Sequence, residues 1–312
     1  MKLAKISPSD PVSKIALEGL HISAPILLDA EFYEKGGAAD SVKKARKGAA
    51  KAKITRSINE DNIITGPSPV YEAIAKKVVS FDAKVDVVLE DRGEDPFTEL
   101  ALQTKLEAIQ AGFKLQGMFF EADSATDGED FDGMKVITPV AQRVNVATNG
   151  LIVPVGNSDA NSALQQTAIE ELQKLMDMIP GGASHLYMNQ FLKARLLTVA
   201  KALGYYDKSK DELGNSIDRI GDVIVRGAGY AADKSRLLPQ TETTGTSNNC
   251  SSIIAVRWGE GIDLTGLTSK GLVGRHTGQS GNFLVNNVNL DMALVLQNAE
   301  SIIKSAGWRL NA

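Results

Sequence analysis

The chain has 312 residues, 43% hydrophobic and 23% charged, with a net charge of −4; that length carries two domains, or one large one with excursions. The acidic balance disfavours tight wrapping of a nucleic-acid backbone, which takes a clear basic excess. An aromatic content of 5% leaves little for a base-stacking platform. A single cysteine, Cys250, excludes an intrachain disulfide and a cysteine-rich metal site. No run reaches the ~20 apolar residues of a membrane helix and the first residues lack a signal-peptide core, so a soluble cytoplasmic chain without a membrane partner is expected.

Pro8, Pro11 and Pro25 punctuate residues 1–28. A short helix is expected from Pro11 to Gly19 with Asp10 as its cap, but nothing in this segment could build a core of its own, so it must lie on something else. After Gly36-Gly37 come Lys43, Lys44, Arg46, Lys47, Lys51, Lys53 and Arg56, with no acidic residue between Ser41 and Ile58. Lys51-Ala-Lys53-Ile-Thr55 alternates as an exposed strand; Ile63-Ile64-Thr65 reads as a return limb, ended by Gly66-Pro67-Ser68-Pro69. The choice is between a long hairpin projecting into solvent and a disordered basic loop. Large apolar groups are sparse over the first seventy or so residues. Ordering them costs roughly 1–2 kcal/mol of backbone entropy per residue, which contacts outside the chain would have to offset.

Tyr71 to Val79 reads as a connecting strand or turn, leading into a strand at Lys84–Leu89. Asp95 and Pro96 are the cap and first position of a long helix. Its apolar stripe is Leu102, Leu106, Ile109 and Phe113, continuing into Leu115, Met118, Phe119 and Phe120. An acidic loop, Glu121 to Asp130, closes on Phe131-Asp132-Gly133-Met134. Val136-Ile137 and Arg143–Ala147 read as short strands, with a turn at Asn149-Gly150. Ser162–Ile179 is a helix on a stripe of Leu164, Ala168, Leu172, Leu175 and Ile179, stopped by Pro180-Gly181-Gly182. A buried strand, His185–Asn189, runs into a helix from Gln190 to Leu203.

Further on, the pattern predicts a polar loop at Asp207–Gly214, strands within Ile217–Ala231, a loop at Gln240–Asn249 that crosses between domains, and a clear strand at Ser252–Trp258. Gly266–Gly281 reads as loop, Phe283–Leu296 as a long strand and Ala299–Ala306 as a short terminal helix. Helix, strand and helix in this spacing indicate a mixed α/β domain with helices over a sheet.

Chemical motifs are few. Gly227-Ala-Gly229-Tyr-Ala-Ala232 mimics a dinucleotide fingerprint, but Asp233–Pro239 leaves no room for the helix that must follow the glycines. The acidic loop lacks the ligand spacing of a calcium loop. His21, His185 and His276 stand far apart, and His185 fits a satisfied core residue. Cys250 has no nucleophile signature, and no G-x-S-x-G elbow is present. No cofactor, metal or enzymatic activity is expected.

The long helix, acidic loop and Phe131-Asp132-Gly133 turn resemble the spine helix and following turn of tailed-bacteriophage major capsid proteins. His185-Leu-Tyr-Met-Asn189 resembles that family's "(I/L)-Y-M-N-R" step, and Ser251-Ser-Ile-Ile-Ala-Val-Arg-Trp-Gly259-Glu260 its "S-S-I-Y-A-V-R-F-G-E" strand; the C-terminal strand and helix also end as such chains commonly do. The resemblance implies the α+β Hong Kong 97-type capsid fold: N-terminal arm 1–28, E-loop hairpin 29–70, peripheral domain 71–135, axial domain 136–240, peripheral return strands 241–285, and a C-terminal strand and helix at 286–312 in the axial domain. It also implies a non-enzymatic virion subunit, assembled in a bacterial host's cytoplasm into hexamers and pentamers around double-stranded DNA held by weak non-specific contact. Scaffolding, portal and decoration proteins would be separate chains. An encapsulin-type compartment shell is the alternative in the same fold, and a nucleotide-binding α/β enzyme the alternative outside it. Some members cross-link a hairpin Lys to an Asn of a neighbour; Lys47, Lys51 and Lys53 with Asn282 or Asn286 are the residues available, and plain ion pairing of these lysines is the commoner case.

Overall fold

The computed structural model describes residues 2–7, 9–34, 39–44, 70–75, 77–86, 95–126, 131–156, 158–210 and 216–310. The chain opens with α1 (Leu3–Ile6), α2 (Pro11–Ser23) and α3 (Ile26–Asp29), then β1 (Phe32–Glu34), β2 (Ala39–Lys44), β3 (Val70–Ala75) and β4 (Lys77–Asp86). The longest helix, α4 (Pro96–Glu121), follows, and then α5 (Met134–Ile137), β5 (Arg143–Asn145), β6 (Leu151–Ile152), α6 (Asp159–Asp177), β7 (His185–Met188) and α7 (Gln190–Ala202). The remainder is strand: β8 (Tyr206–Lys210), β9 (Ser216–Ile220), β10 (Val223–Gly227), β11 (Glu242–Thr244), β12 (Ser247–Val256), β13 (Leu264–Thr268), β14 (Leu272–Ser280), β15 (Phe283–Leu296) and β16 (Ile302–Arg309). No described helix is long and apolar enough to cross a membrane.

Two sheets organise the body. One runs β1-β13-β15-β14 with β4 on β15; the other runs β5-β16-β12-β7-β10-β9-β8 with β11 and β6 at its margins. One core lies under α6 and α7, where Ala168, Leu172, Leu175 and Ile179 meet Leu192, Leu196 and the inner residues Leu186, Met188, Ile253 and Ala255 of the larger sheet. Alternate residues of the same strands, Tyr187, Ile254 and Val256, point into a second core with α2, α4 and the smaller sheet. A strand buried on both faces reads as a continuous apolar run, which is how β7 and the second half of β12 read.

The N-terminal segment departs from expectation. Leu3, Ala16, Leu20, Ala24, Ile26, Leu27 and Phe32 are buried in the main core, so residues 2–34 have an interior within this chain and are fixed without a neighbour. The reason is close helix packing that no apolar stripe announces. A Cβ on Gly19 would lie 2.7 Å from that of Ala108, and one on Gly112 would collide with the Ser23 hydroxyl. Small residues let α2 and α4 approach, and the ion pair Lys105–Glu18 (3.3 Å) flanks the crossing.

Asp95 caps α4 as expected, accepting from the N–H groups of Phe97 and Thr98. Its buried face, however, is Leu100, Thr104, Ala108, Gly112, Leu115 and Phe119, while Leu102 and Leu106 of the expected stripe are 50% and 44% exposed.

Four further expectations are corrected. Val136-Ile137 belongs to α5, turned by Gly133, whose carbonyl accepts from Ile137. Residues 207–210 and 242–249 form hairpins, β8–β9 and β11–β12, instead of loops. The glycine-rich run 266–281 is β13 and β14: Gly266 faces the Phe32 ring, where a Cβ would come within 2.6 Å, and Gly274 lies against Val12 and Ser13. Glycine here marks close approach. The terminal helix is strand β16, with Ile302, Ile303 and Trp308 buried between β12 and β5; β-branched and aromatic residues suit a pleated, buried surface. Consequently β12, expected among the peripheral return strands, sits inside the larger sheet, and β15, expected beside the terminal element, spans the smaller one.

Candidate assembly surface

β2 and β3 pair antiparallel from Ala39↔Ala75 to Lys44↔Val70, and with neither larger sheet. They are the two limbs of a hairpin whose 25 intervening residues, 45–69, lie outside the described residues. Lys43 and Lys44 are the last two residues of the outgoing limb. Arg46, Lys47, Lys51, Lys53 and Arg56 lie outside the described residues, as do the strands expected at 51–55 and 63–65. Residues 29–34, expected to open the hairpin, belong to the body: Phe32 is buried and β1 pairs parallel with β13.

The Phe131-Asp132-Gly133 turn closes the end of α4. Phe131 is buried edge-on to Phe119 at 5.8 Å. Asp132 accepts from the Ser124 N–H, and Gly133 donates to the Ala122 carbonyl. A Cβ on Gly133 would stand 2.7 Å from the Met118 carbonyl oxygen, so no other residue fits this return over the helix end.

Beside the helix, α4, β4 and the loop at 230–234 wall an open cavity of about 1080 Å³, lined by Val79, Phe81, Ala111, Phe113, Met118 and Tyr230. Glu107, Gln110 and Lys114 of α4 also line it, so the wall is mixed in polarity, and Leu102 and Leu106 stand exposed on the same helix.

Two buried polar clusters, invisible as motifs, fasten the N-terminal segment beneath this surface. The Gln116 amide donates to the Ala228 carbonyl and accepts from the Ile26 N–H. Asp29, 3% exposed, accepts from Arg226 (2.9 Å) and from the Tyr187 hydroxyl (3.2 Å), which in turn accepts from Trp258 Nε1. His185 Nε2 stands 3.6 Å from Asp29. Burial alone would raise the Asp29 pKa; the His185 contact and the Arg226 guanidinium outweigh it and hold the carboxyl below its ordinary range. Burial, reinforced by the Asp29 charge, pushes the Tyr187 phenol well up.

Ser184, His185 and Asp29 are strung together, but with Nδ1 on the serine and Nε2 toward the carboxylate, the reverse of a hydrolase triad, and the Ser184 hydroxyl donates to the Val256 carbonyl and accepts from the Trp258 N–H. With its proton committed to a backbone carbonyl, Ser184 is a structural tie. The Gly227–Ala232 turn is followed by bends and an isolated bridge, with no helix to hold a pyrophosphate. Asn286 is 5% exposed and donates to Thr104 Oγ1, which takes it away from any intermolecular cross-link; Asn282 is exposed.

No protein-family model and no curated protein sequence matches the chain. Solved structures do. The chain is similar to the holo-SrpI encapsulin complex from Synechococcus elongatus at 12% identity and TM-score 0.58, covering 91% of this chain and 86% of that one. It is similar to the capsid of an empty GTA particle (13%, 0.54, 96% and 99%) and to a virus-like particle from Pyrococcus furiosus (12%, 0.51, 94% and 97%). The chain has the α+β Hong Kong 97-type capsid fold.

Proposed function

We propose that this chain is the structural subunit of a closed shell, and specifically a major capsid protein of a tailed bacteriophage, arranged as hexamers and pentamers around double-stranded DNA. The observation that carries the shell reading is the hairpin. A two-stranded ribbon joined to no larger sheet is marginal in water on its own, and β2–β3 stands apart from both sheets of the body. Its partner in this reading is another copy of the chain, as in shells held by many modest interfaces acting together. The exposed Leu102 and Leu106 of α4 and the net charge of −4, too acidic for strong DNA wrapping, fit a subunit that binds its siblings firmly and its contents weakly.

The test reverses the hairpin charge. Lys51→Glu with Lys53→Glu should abolish assembled particles in sedimentation velocity while the thermal unfolding midpoint of the protomer stays within a degree or two; normal particles would contradict the role given to the hairpin. An encapsulin-type compartment shares the fold, and the similarity to an encapsulin at TM-score 0.58 favours keeping it as the second reading. Particle contents separate the two: nuclease-protected double-stranded DNA supports the capsid, and a stoichiometric cargo protein supports the compartment.

A further inference from the structure

A second surface lies at the C-terminal ends of β7 and β10. There Asn189, Lys193, Arg226, Gly229, Tyr230 and Arg236 line a pocket of about 280 Å³. Three cations converge on it. Arg226 is committed to Asp29 and Lys193 to Asp218 at 2.9 Å, but among the described residues no carboxylate pairs with Arg236. Its guanidinium lies over the Phe191 ring at 4.2 Å and near the Tyr230 ring at 5.8 Å, and those rings are 55% and 43% exposed. Set against these rings, the guanidinium has N–H donors to offer an oxyanion, the group that binds a carboxylate with two parallel hydrogen bonds. Exposed aromatics around an Arg are also the composition of interface hot spots.

We infer that this pocket receives an acidic side chain of a second copy of the chain, making Arg236 an anchor of a subunit contact separate from the hairpin. This rests on the shell reading above. Two facts favour a sibling carboxylate. The pocket's volume suits one side chain and not a duplex backbone, and each copy carries 38 acidic against 34 basic residues. A heterologous, head-to-tail contact of this kind, unlike a patch meeting its own copy, is what closes a ring.

Zero-length carbodiimide coupling tests it, because Lys193 stands at the same pocket and its amine would link to the incoming carboxylate. Particles assembled from mixed ¹⁴N and ¹⁵N subunits distinguish links between copies from links within one. The Lys193–Asp218 pair supplies an internal positive control. The expected result is a Lys193 link to an Asp or Glu of another copy, reduced about tenfold, ~1.4 kcal/mol of contact energy, by Arg236→Gln while the Lys193–Asp218 link persists. An intermolecular link indifferent to Arg236→Gln, or only the internal link in intact particles, overturns the inference. So does loss of particle-bound nucleic acid in Arg236→Gln without any such link, which would assign the pocket to phosphate. A wild-type chain that sediments as a monomer instead defeats the shell reading, and this inference with it.

Discussion

Asp29 is the carboxylate through which the N-terminal segment is bound to the larger sheet, and it shares its charge with a guanidinium and an imidazole out of water. Removing one partner of a buried pair leaves the other charge unpaired, which costs several kcal/mol. Asp29→Ala should therefore lower unfolding stability by about 3 kcal/mol, read as a shift of the urea midpoint; an unchanged midpoint would show that the cluster contributes nothing. His21 makes the second residue-scale prediction. Burial lowers its pKa from 6.5 to about 4, and its Nε2 is buried without a hydrogen-bond partner among the described residues. The folded state thus holds the ring neutral where the unfolded state takes a proton. Stability from this source is fully present above pH 6.5 and is lost as pH falls toward about 4. Urea midpoints measured from pH 7 to pH 4.5 should fall more steeply in the wild type than in His21→Gln; equal slopes would contradict the assignment. Neither residue was legible in sequence. Asp29, Tyr187, Arg226 and Trp258 meet across some two hundred residues of chain, with no spacing to announce them.

At the scale of elements, helices with a cap or a stripe were legible: α2 from Asp10, α4 from Asp95 and Pro96, and α6 from its stripe, with α7 read directly after the buried strand β7. What misled was the assumption that large apolar residues mark the buried face. In α4 the middle of the buried face is small, Thr104, Ala108 and Gly112, because a second helix lies close against it, and Leu102 and Leu106 are left outside while Leu100 and Leu115 are buried. Glycine misled likewise: in β13 and β14 it makes room for Phe32 and for α2 instead of breaking the strand. The exposed leucines give an element-scale prediction. Leu102→Ser with Leu106→Ser should leave protomer stability nearly unchanged, since surface substitutions usually fall within about 0.5 kcal/mol, yet reduce the yield of particles. A large loss of protomer stability with normal assembly would mean that this face of α4 supports only the fold.

For the whole molecule, two sheets, a spine helix across one core and a hairpin held apart make a body complete in itself with one limb that is not. That division corrects the idea that the entire first quarter of the chain waits for a neighbour: residues 2–34 are packed at home, while among the described residues β2 and β3 pair with each other and join neither larger sheet. The mass distribution of the purified full-length chain, taken by analytical ultracentrifugation with negative-stain microscopy of the same sample, tests this most directly. Closed particles of uniform diameter are the predicted result; a stable 33.3 kDa monomer at every concentration, with the 45–69 segment protected from protease, would contradict it.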